Sequence, residues 1–138
     1  MKIVVKIGGA ALEDKATLQK CARAVVALAR DDHRVVVVHG GGTALTRTLK
    51  LLGKESDFVN GLRVTDAETR DVALMVLAGI VNKSLVAAIV AAGNPAIGLC
   101  GGDGMTLRAR KKQIRASEKA RDARFSKYDQ KAKKASRR

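Results

Sequence analysis

The 138 residues include no tryptophan, one tyrosine, two phenylalanines and a single proline. With aromatics at 2% and apolar residues at 46%, a core has to be built from Val, Ala, Leu and Ile, which suits packed α/β layers better than a β-sandwich. No uninterrupted apolar run reaches the roughly 18 residues of a membrane span, and the strand-like start at Lys2 leaves no room for a signal peptide. The expectation is a cytoplasmic chain of one-domain length, with no membrane segment. Cys21 and Cys100 lack CxxC or metal-ligand spacing, so they read as buried thiols rather than as a disulfide. Acidic residues are scarce in one place only. Residues 108–138 carry 14 Lys and Arg against 3 acids, whereas residues 1–107 carry 13 against 10. The basic character belongs to the end of the chain, and any argument from charge to nucleic acid concerns that segment alone.

The most informative stretch is Val35-Val36-Val37-Val38-His39-Gly40-Gly41-Gly42, followed by a helix-like run from Thr43 to Leu52. Four β-branched residues in a row suit a strand buried on both faces, as in a parallel sheet covered by helices. The glycines let the chain turn tightly and let a ligand approach main-chain N–H groups, just where the next helix starts with its positive dipole end. The alternative is a tight βα turn with no ligand. Three consecutive glycines cost more conformational entropy than such a turn needs, which favours an anion site. Lys2–Ile7 reads as a second strand, and Gly8-Gly9 breaks it in the same way. If the two strands are parallel, their glycine-capped ends share the sheet edge where open α/β sheets keep their ligands. Lys6 then points away from Val5 and Ile7, and its ammonium can lean toward that edge instead of standing as an exposed strand lysine.

Around these strands the periodicity predicts a helix over Ala11–Arg30, a polar loop at residues 31–34 with a solvated His33, and a hydrogen-bonded structural role for His39. Residues 58–65 predict a short hairpin turning at Asn60-Gly61, with Arg63 just beyond the turn, where a guanidinium can fork onto a carboxylate. Thr65-Asp66-Ala67-Glu68 is a capping box that opens a helix running to about Ala92. From Val72 to Val81 that helix is apolar on every face, so one side covers the sheet and the other meets more protein, a second copy for instance. Pro95–Cys100 reads as a third strand, closed by Gly101-Gly102-Asp103-Gly104. After Ala109 the Lys/Arg/Ala/Ser composition supports only a fraying helix or disorder.

KIGG at Lys6–Gly9, VVHGGG at Val37–Gly42, NGLRVTDAET at Asn60–Thr69, VNKSL at Val81–Leu85 and GLCGGDG at Gly98–Gly104 together resemble the amino acid kinase family. The first two motifs are shared across that family. NGLRVT is much more specific to kinases of N-acylated amino acids, and the five motifs together resemble the branch that phosphorylates N-acetyl-L-glutamate in arginine biosynthesis. The resemblance implies a three-layer α/β sandwich with a mainly parallel sheet, and transfer of the γ-phosphoryl group of ATP, with Mg2+, to the side-chain carboxylate of N-acetyl-L-glutamate. By the same resemblance Lys6 is the catalytic lysine that neutralises the phosphoryl group in flight. Gly8 and Gly9 bind phosphate, Gly41 and Gly42 line the acetylglutamate pocket, and Arg63 grips the substrate's α-carboxylate. Such a transfer needs positioning and positive charge, and no general base, because the acceptor is already an oxyanion.

The likeness ends near Lys112. In this family the C-terminal half carries the nucleotide-binding lobe, and no counterpart follows here. The expected organisation is a substrate-binding lobe over residues 1–112, truncated relative to the family, and a basic tail over 113–138. Three functions compete on this reading. One is the kinase, with activity reduced or absent and with N-acetyl-L-glutamate or the one-carbon-longer acetylaminoadipate as acceptor. Another is a non-catalytic module that binds an acylated amino acid or docks on another subunit, a homo-oligomer through helix 66–92 being the expected assembly. The third is non-specific nucleic-acid binding through Arg108–Arg138, which has a single Tyr and a single Phe for stacking.

Overall fold

The computed structural model describes residues 1–59 and 61–110. The expected tail over residues 113–138, and nucleic-acid binding through it, lie outside the described residues, as does the conformation of Asn60.

Strand β1 (Lys2–Ile7) pairs in parallel with β2 (Arg34–His39), Lys2 opposite Arg34 and Ile7 opposite His39. The connection holds helices α1 (Gly9–Glu13) and α2 (Lys15–Arg30). The single helix expected over Ala11–Arg30 is therefore broken. Its apolar stripe continues through the break, but the Asp14 carboxylate accepts hydrogen bonds from the Thr17 N–H (2.7 Å) and hydroxyl (2.6 Å), making Asp14 an N-cap in extended conformation. Those two bonds, the hydroxyl first, hold the Asp14 carboxyl below its ordinary value.

The alternation along both strands puts Ile3, Val5 and Ile7 with Val35, Val37 and His39 on one face. This face packs on Ala22, Val25 and Val26 of α2 and on Leu85 and Ile89 of α5 (Asn82–Ala91). The opposite face carries Val4, Lys6, Val36 and Val38, and there Val4 is 72% and Val36 59% exposed. The α/β class and the parallel sheet hold. Burial of the valine strand on both faces does not, because among the described residues helices cover one side only.

A second core forms where α3 (Gly42–Leu51) meets the long helix. Ala44, Leu45 and Leu49 pack against Val72, Val76 and Val81, and Leu12 of α1 touches both cores. The long helix consists of α4 (Ala67–Leu74), a π-helical segment (Met75–Val81) and α5. Its N-cap is Asp66, one residue after the Thr65 of the expected capping box, and the Asp66 carboxylate accepts from the Thr69 N–H at 2.7 Å. Buried positions step by four from Val72 to Val76 and again from Val81 to Leu85 and Ile89, but by five from Val76 to Val81. A π-turn takes up that extra residue and keeps the stripe facing inward. By length and composition Ala67–Ala91 could cross a membrane, with a window hydropathy of 2.1. In this fold its stripe feeds two protein cores, while Leu74, Met75 and Ile80 stay about 60% exposed.

Between α3 and α4 lies the expected hairpin, β3 (Phe58–Val59) and β4 (Leu62–Arg63), with Phe58 opposite Arg63. Pro95–Cys100 does not form the expected third strand. Its exposure alternates as a strand's does, with Ala96, Gly98 and Cys100 turned inward, but no ladder pairs it among the described residues. Cys21 and Cys100 are both free thiols, half-buried rather than buried.

Candidate active site

The two glycine breaks meet. The Gly40 N–H donates to the Ile7 carbonyl at 2.9 Å, so the second turn is bonded to the end of the first strand. A methyl group built on Gly9 would lie 2.7 Å from the Gly41 nitrogen, and one on Gly40 would lie 2.8 Å from the Gly9 nitrogen. Backbone sits against backbone, and only glycine permits the approach. Gly41 is closed off differently, because a methyl there would meet the Leu77 side chain of the π segment at 2.6 Å. Gly8 and Gly42 differ from all three. Among the described residues a methyl on either meets no atom within 4 Å. Gly8 has an ordinary extended conformation (φ −66°) and caps α1, and Gly42 opens the ten-residue helix α3. Neither packing nor backbone conformation requires glycine there, whereas close approach of a ligand to the main chain would.

Of the other expected site residues, Arg63 is hydrogen-bonded into this corner, and among the described residues Lys6 is not. One guanidinium nitrogen of Arg63, Nη2, donates to Thr46 Oγ1 at 2.8 Å, and the same hydroxyl donates to the Gly42 carbonyl at 2.9 Å. Nη1 donates to Ser56 Oγ, and the guanidinium carbon lies 4.6 Å from the centre of the Phe58 ring. Lys6 is exposed on the uncovered sheet face, opposite Val38 in the ladder and two residues before Gly8. Its ammonium has no ion-pair partner among the described residues.

The hairpin that carries Arg63 is clamped at its base. Lys54 Nζ lies 3.0 Å from an Asp66 carboxylate oxygen and 2.7 Å from Glu68, and the Val64 N–H donates to the Asp57 carbonyl at 2.9 Å. The Thr69 hydroxyl and N–H, followed by Lys54, hold the Asp66 carboxyl well below the usual range, and the two acids raise the Lys54 ammonium above its own.

His39 has the hydrogen-bonded role expected of it. Its Nδ1 is 3.0 Å from the Gly40 carbonyl, which can only accept, so Nδ1 carries the proton and Nε2 accepts from the Asn82 amide at 3.2 Å. Sequence reasoning missed Asn82. It is 7% exposed, its Oδ1 is buried without a hydrogen-bond partner among the described residues, and it presses on Gly98 so closely that no side chain fits there. Three of the sequence motifs meet at this one amide. A mostly apolar groove of about 360 Å³ opens beside His39, between Leu74 and Leu77 of the long helix and Leu99–Cys100. Among the described residues no group of three or more His, Cys, Asp or Glu side chains is placed to hold a metal ion.

The chain matches the profile of the amino acid kinase family over residues 1–135. It is 66% identical over 113 residues to an acetylglutamate kinase from Acidobacterium capsulatum and 64% identical over 114 residues to one from Koribacter versatilis. These matches take in 82% and 83% of this chain but 44% of each relative, so the chain spans less than half the length of the curated relatives it matches. Among solved structures it is similar to N-acetylglutamate synthase from Neisseria gonorrhoeae complexed with coenzyme A and N-acetyl-glutamate. That likeness has a TM-score of 0.59 and 30% identity, and covers 70% of this chain and 22% of that one. With residues 1–135 of its 138 matched, the chain belongs to the amino acid kinase family.

Proposed function

We propose that residues 1–112 are the acceptor-binding lobe of an acetylglutamate kinase, a cytoplasmic enzyme of arginine biosynthesis that phosphorylates the side-chain carboxylate of N-acetyl-L-glutamate with Mg-ATP. The observation that carries this reading is the corner at Gly42. There a glycine that the fold does not require faces open space, and an arginine hydrogen-bonds a hydroxyl that itself binds the Gly42 carbonyl. Backbone N–H groups at a helix start and a guanidinium fork are complementary to a small dianion. In this reading Arg63 takes the α-carboxylate, and Gly41 and Gly42 line the acceptor pocket. Gly8 and Gly9 donate to phosphoryl oxygens, and Lys6 supplies positive charge to the group in transfer. The magnesium ion would screen the phosphate charge.

The chain spans 44% of the length of each of those relatives, and in this reading that stretch binds acceptor with little turnover by itself. An ADP-release assay with Mg-ATP and N-acetyl-L-glutamate, run beside calorimetric titration of each ligand, tests this. Acceptor binding with slow or no ADP release is the expected result. Turnover equal to that of a full-length relative would contradict the expectation for the lone chain, and absence of acceptor binding would overturn the proposal. Titration with N-acetyl-L-aminoadipate decides between the two acceptor lengths. The exposed Leu74, Met75 and Ile80 favour one further element of the reading, association of two copies through helix 66–92.

A further inference from the structure

Phe58 is one of only three aromatic residues in the chain, and the residue is 54% exposed. A ring left in water at the tip of a two-residue strand contributes little to a core, yet this one lies under the Arg63 guanidinium. Thr46 and Ser56 approach the same group from two other segments, each with a hydroxyl accepting from a different guanidinium nitrogen. Thr46 is further fixed by its bond to the Gly42 carbonyl, so helix α3 sets the position of one of the two oxygens. A guanidinium has five N–H donors in a rigid plane, and these contacts use two of them. The other three donate to no atom of the described residues and are open to a ligand.

We infer that Thr46, Ser56 and Phe58 are positioning residues that hold the Arg63 guanidinium in place before a carboxylate arrives. The inference rests on the proposed function for the identity of that carboxylate, but not for the ordering of the arginine itself. Arginine is among the side chains with most rotamer freedom to lose, and ordering it in the free protein spares the ligand that cost. The two hydroxyls take one N–H from each terminal nitrogen and the ring takes a face, so the N–H groups they leave can form a fork for the α-carboxylate, whose bidentate geometry an arginine matches and a lysine does not.

The test reads the arginine directly. In nitrogen-15 NMR of the ligand-free chain, rotation of the Arg63 guanidinium is expected to be slow, and to quicken in Thr46→Val and Ser56→Ala without a change in melting temperature. Thr46→Ser, which keeps the hydroxyl, should stay slow. Titration with N-acetyl-L-glutamate should weaken about 3- to 10-fold in Thr46→Val. The same substitution should have no effect in an Arg63→Ala background, or when the ligand's α-carboxylate is replaced by its amide. Rapid rotation in the unsubstituted chain overturns the inference whatever the binding result. A fixed guanidinium released by Thr46→Val supports it even in a chain that does not bind N-acetyl-L-glutamate, a result that would overturn the acceptor assignment alone. Equal weakening by Thr46→Val with and without Arg63 would also overturn it, since the effect would then not pass through the arginine.

Discussion

Gly9 and Gly42 both follow strand ends at the same corner, but for opposite physical reasons. At Gly9 a methyl would strike the backbone of the other glycine turn, so the fold itself demands glycine. At Gly42 a methyl would meet open space at the start of a helix, where alanine would form helix more readily than glycine. Repeated glycine in a motif therefore mixes two signals. Some of it lets two chain segments touch, and some, in the function proposed, leaves main chain bare for a ligand.

Substitutions can separate these two kinds of glycine. The largest effect is expected from Gly9→Ala, which must push two backbones apart and should cost about 1–3 kcal/mol or more in urea unfolding. Gly41→Ala should cost less, because the atom in its way is the tip of the Leu77 side chain, which can rotate aside. If that contact is the cause, the penalties of Gly41→Ala and Leu77→Ala will be non-additive in a double-mutant cycle, the pair together costing less than the sum. Gly42→Ala inverts the pattern. Stability should rise by up to about 1 kcal/mol while affinity for N-acetyl-L-glutamate falls. A Gly42→Ala chain that keeps full affinity would reduce this glycine to a turn residue.

The smallest expected effect concerns acid. Asp14 and Asp66 are exposed helix caps and Asp103 is an exposed turn residue, and the carboxyls of all three lie below the ordinary value of 3.8. Thr17, Thr69 and the Cys100 N–H respectively are the first causes. A group depressed in the folded state lends stability above its unfolded pKa, and that contribution is lost as pH falls through the folded value. Melting temperature should thus hold from neutrality to about pH 5 and fall below about pH 4. In Asp66→Asn the fall should be shallower, with the hairpin base losing the Lys54 contact at every pH.

What was legible in the sequence is what is written locally. The strand at Lys2–Ile7, the hairpin around Gly61, the strand stops at the first two glycine runs and the His39–Gly40 contact all depend on residues within a few positions of one another. The break at Asp14 was legible in principle from Asp-x-x-Thr, but an unbroken apolar stripe on both sides masked it. The step of five between Val76 and Val81 was likewise visible as spacing, and an all-apolar run hides spacing. Asn82 could not be read, since its partner His39 is 43 residues away and only the fold brings the two together. The strand expected at Pro95–Cys100 failed for a related reason. Alternating residues suit a strand, but a strand exists only where another lends its hydrogen bonds. Val35–Val38 suggested two covered faces, yet β-branched residues report strand preference and not what lies above and below. At the site, the sequence placed Arg63 beside a turn. The two hydroxyls and the ring that fix it came from the structure alone.

The central claim is that the corner formed by the glycine turns and Arg63 takes a small acylated dicarboxylate. Calorimetric titration of N-acetyl-L-glutamate into the unsubstituted chain and into Arg63→Ala tests it most directly. The account predicts one site per chain, weakened about 10- to 100-fold by the substitution with the melting temperature unchanged. Heat that is absent in the unsubstituted chain, or equal in the two, would contradict it.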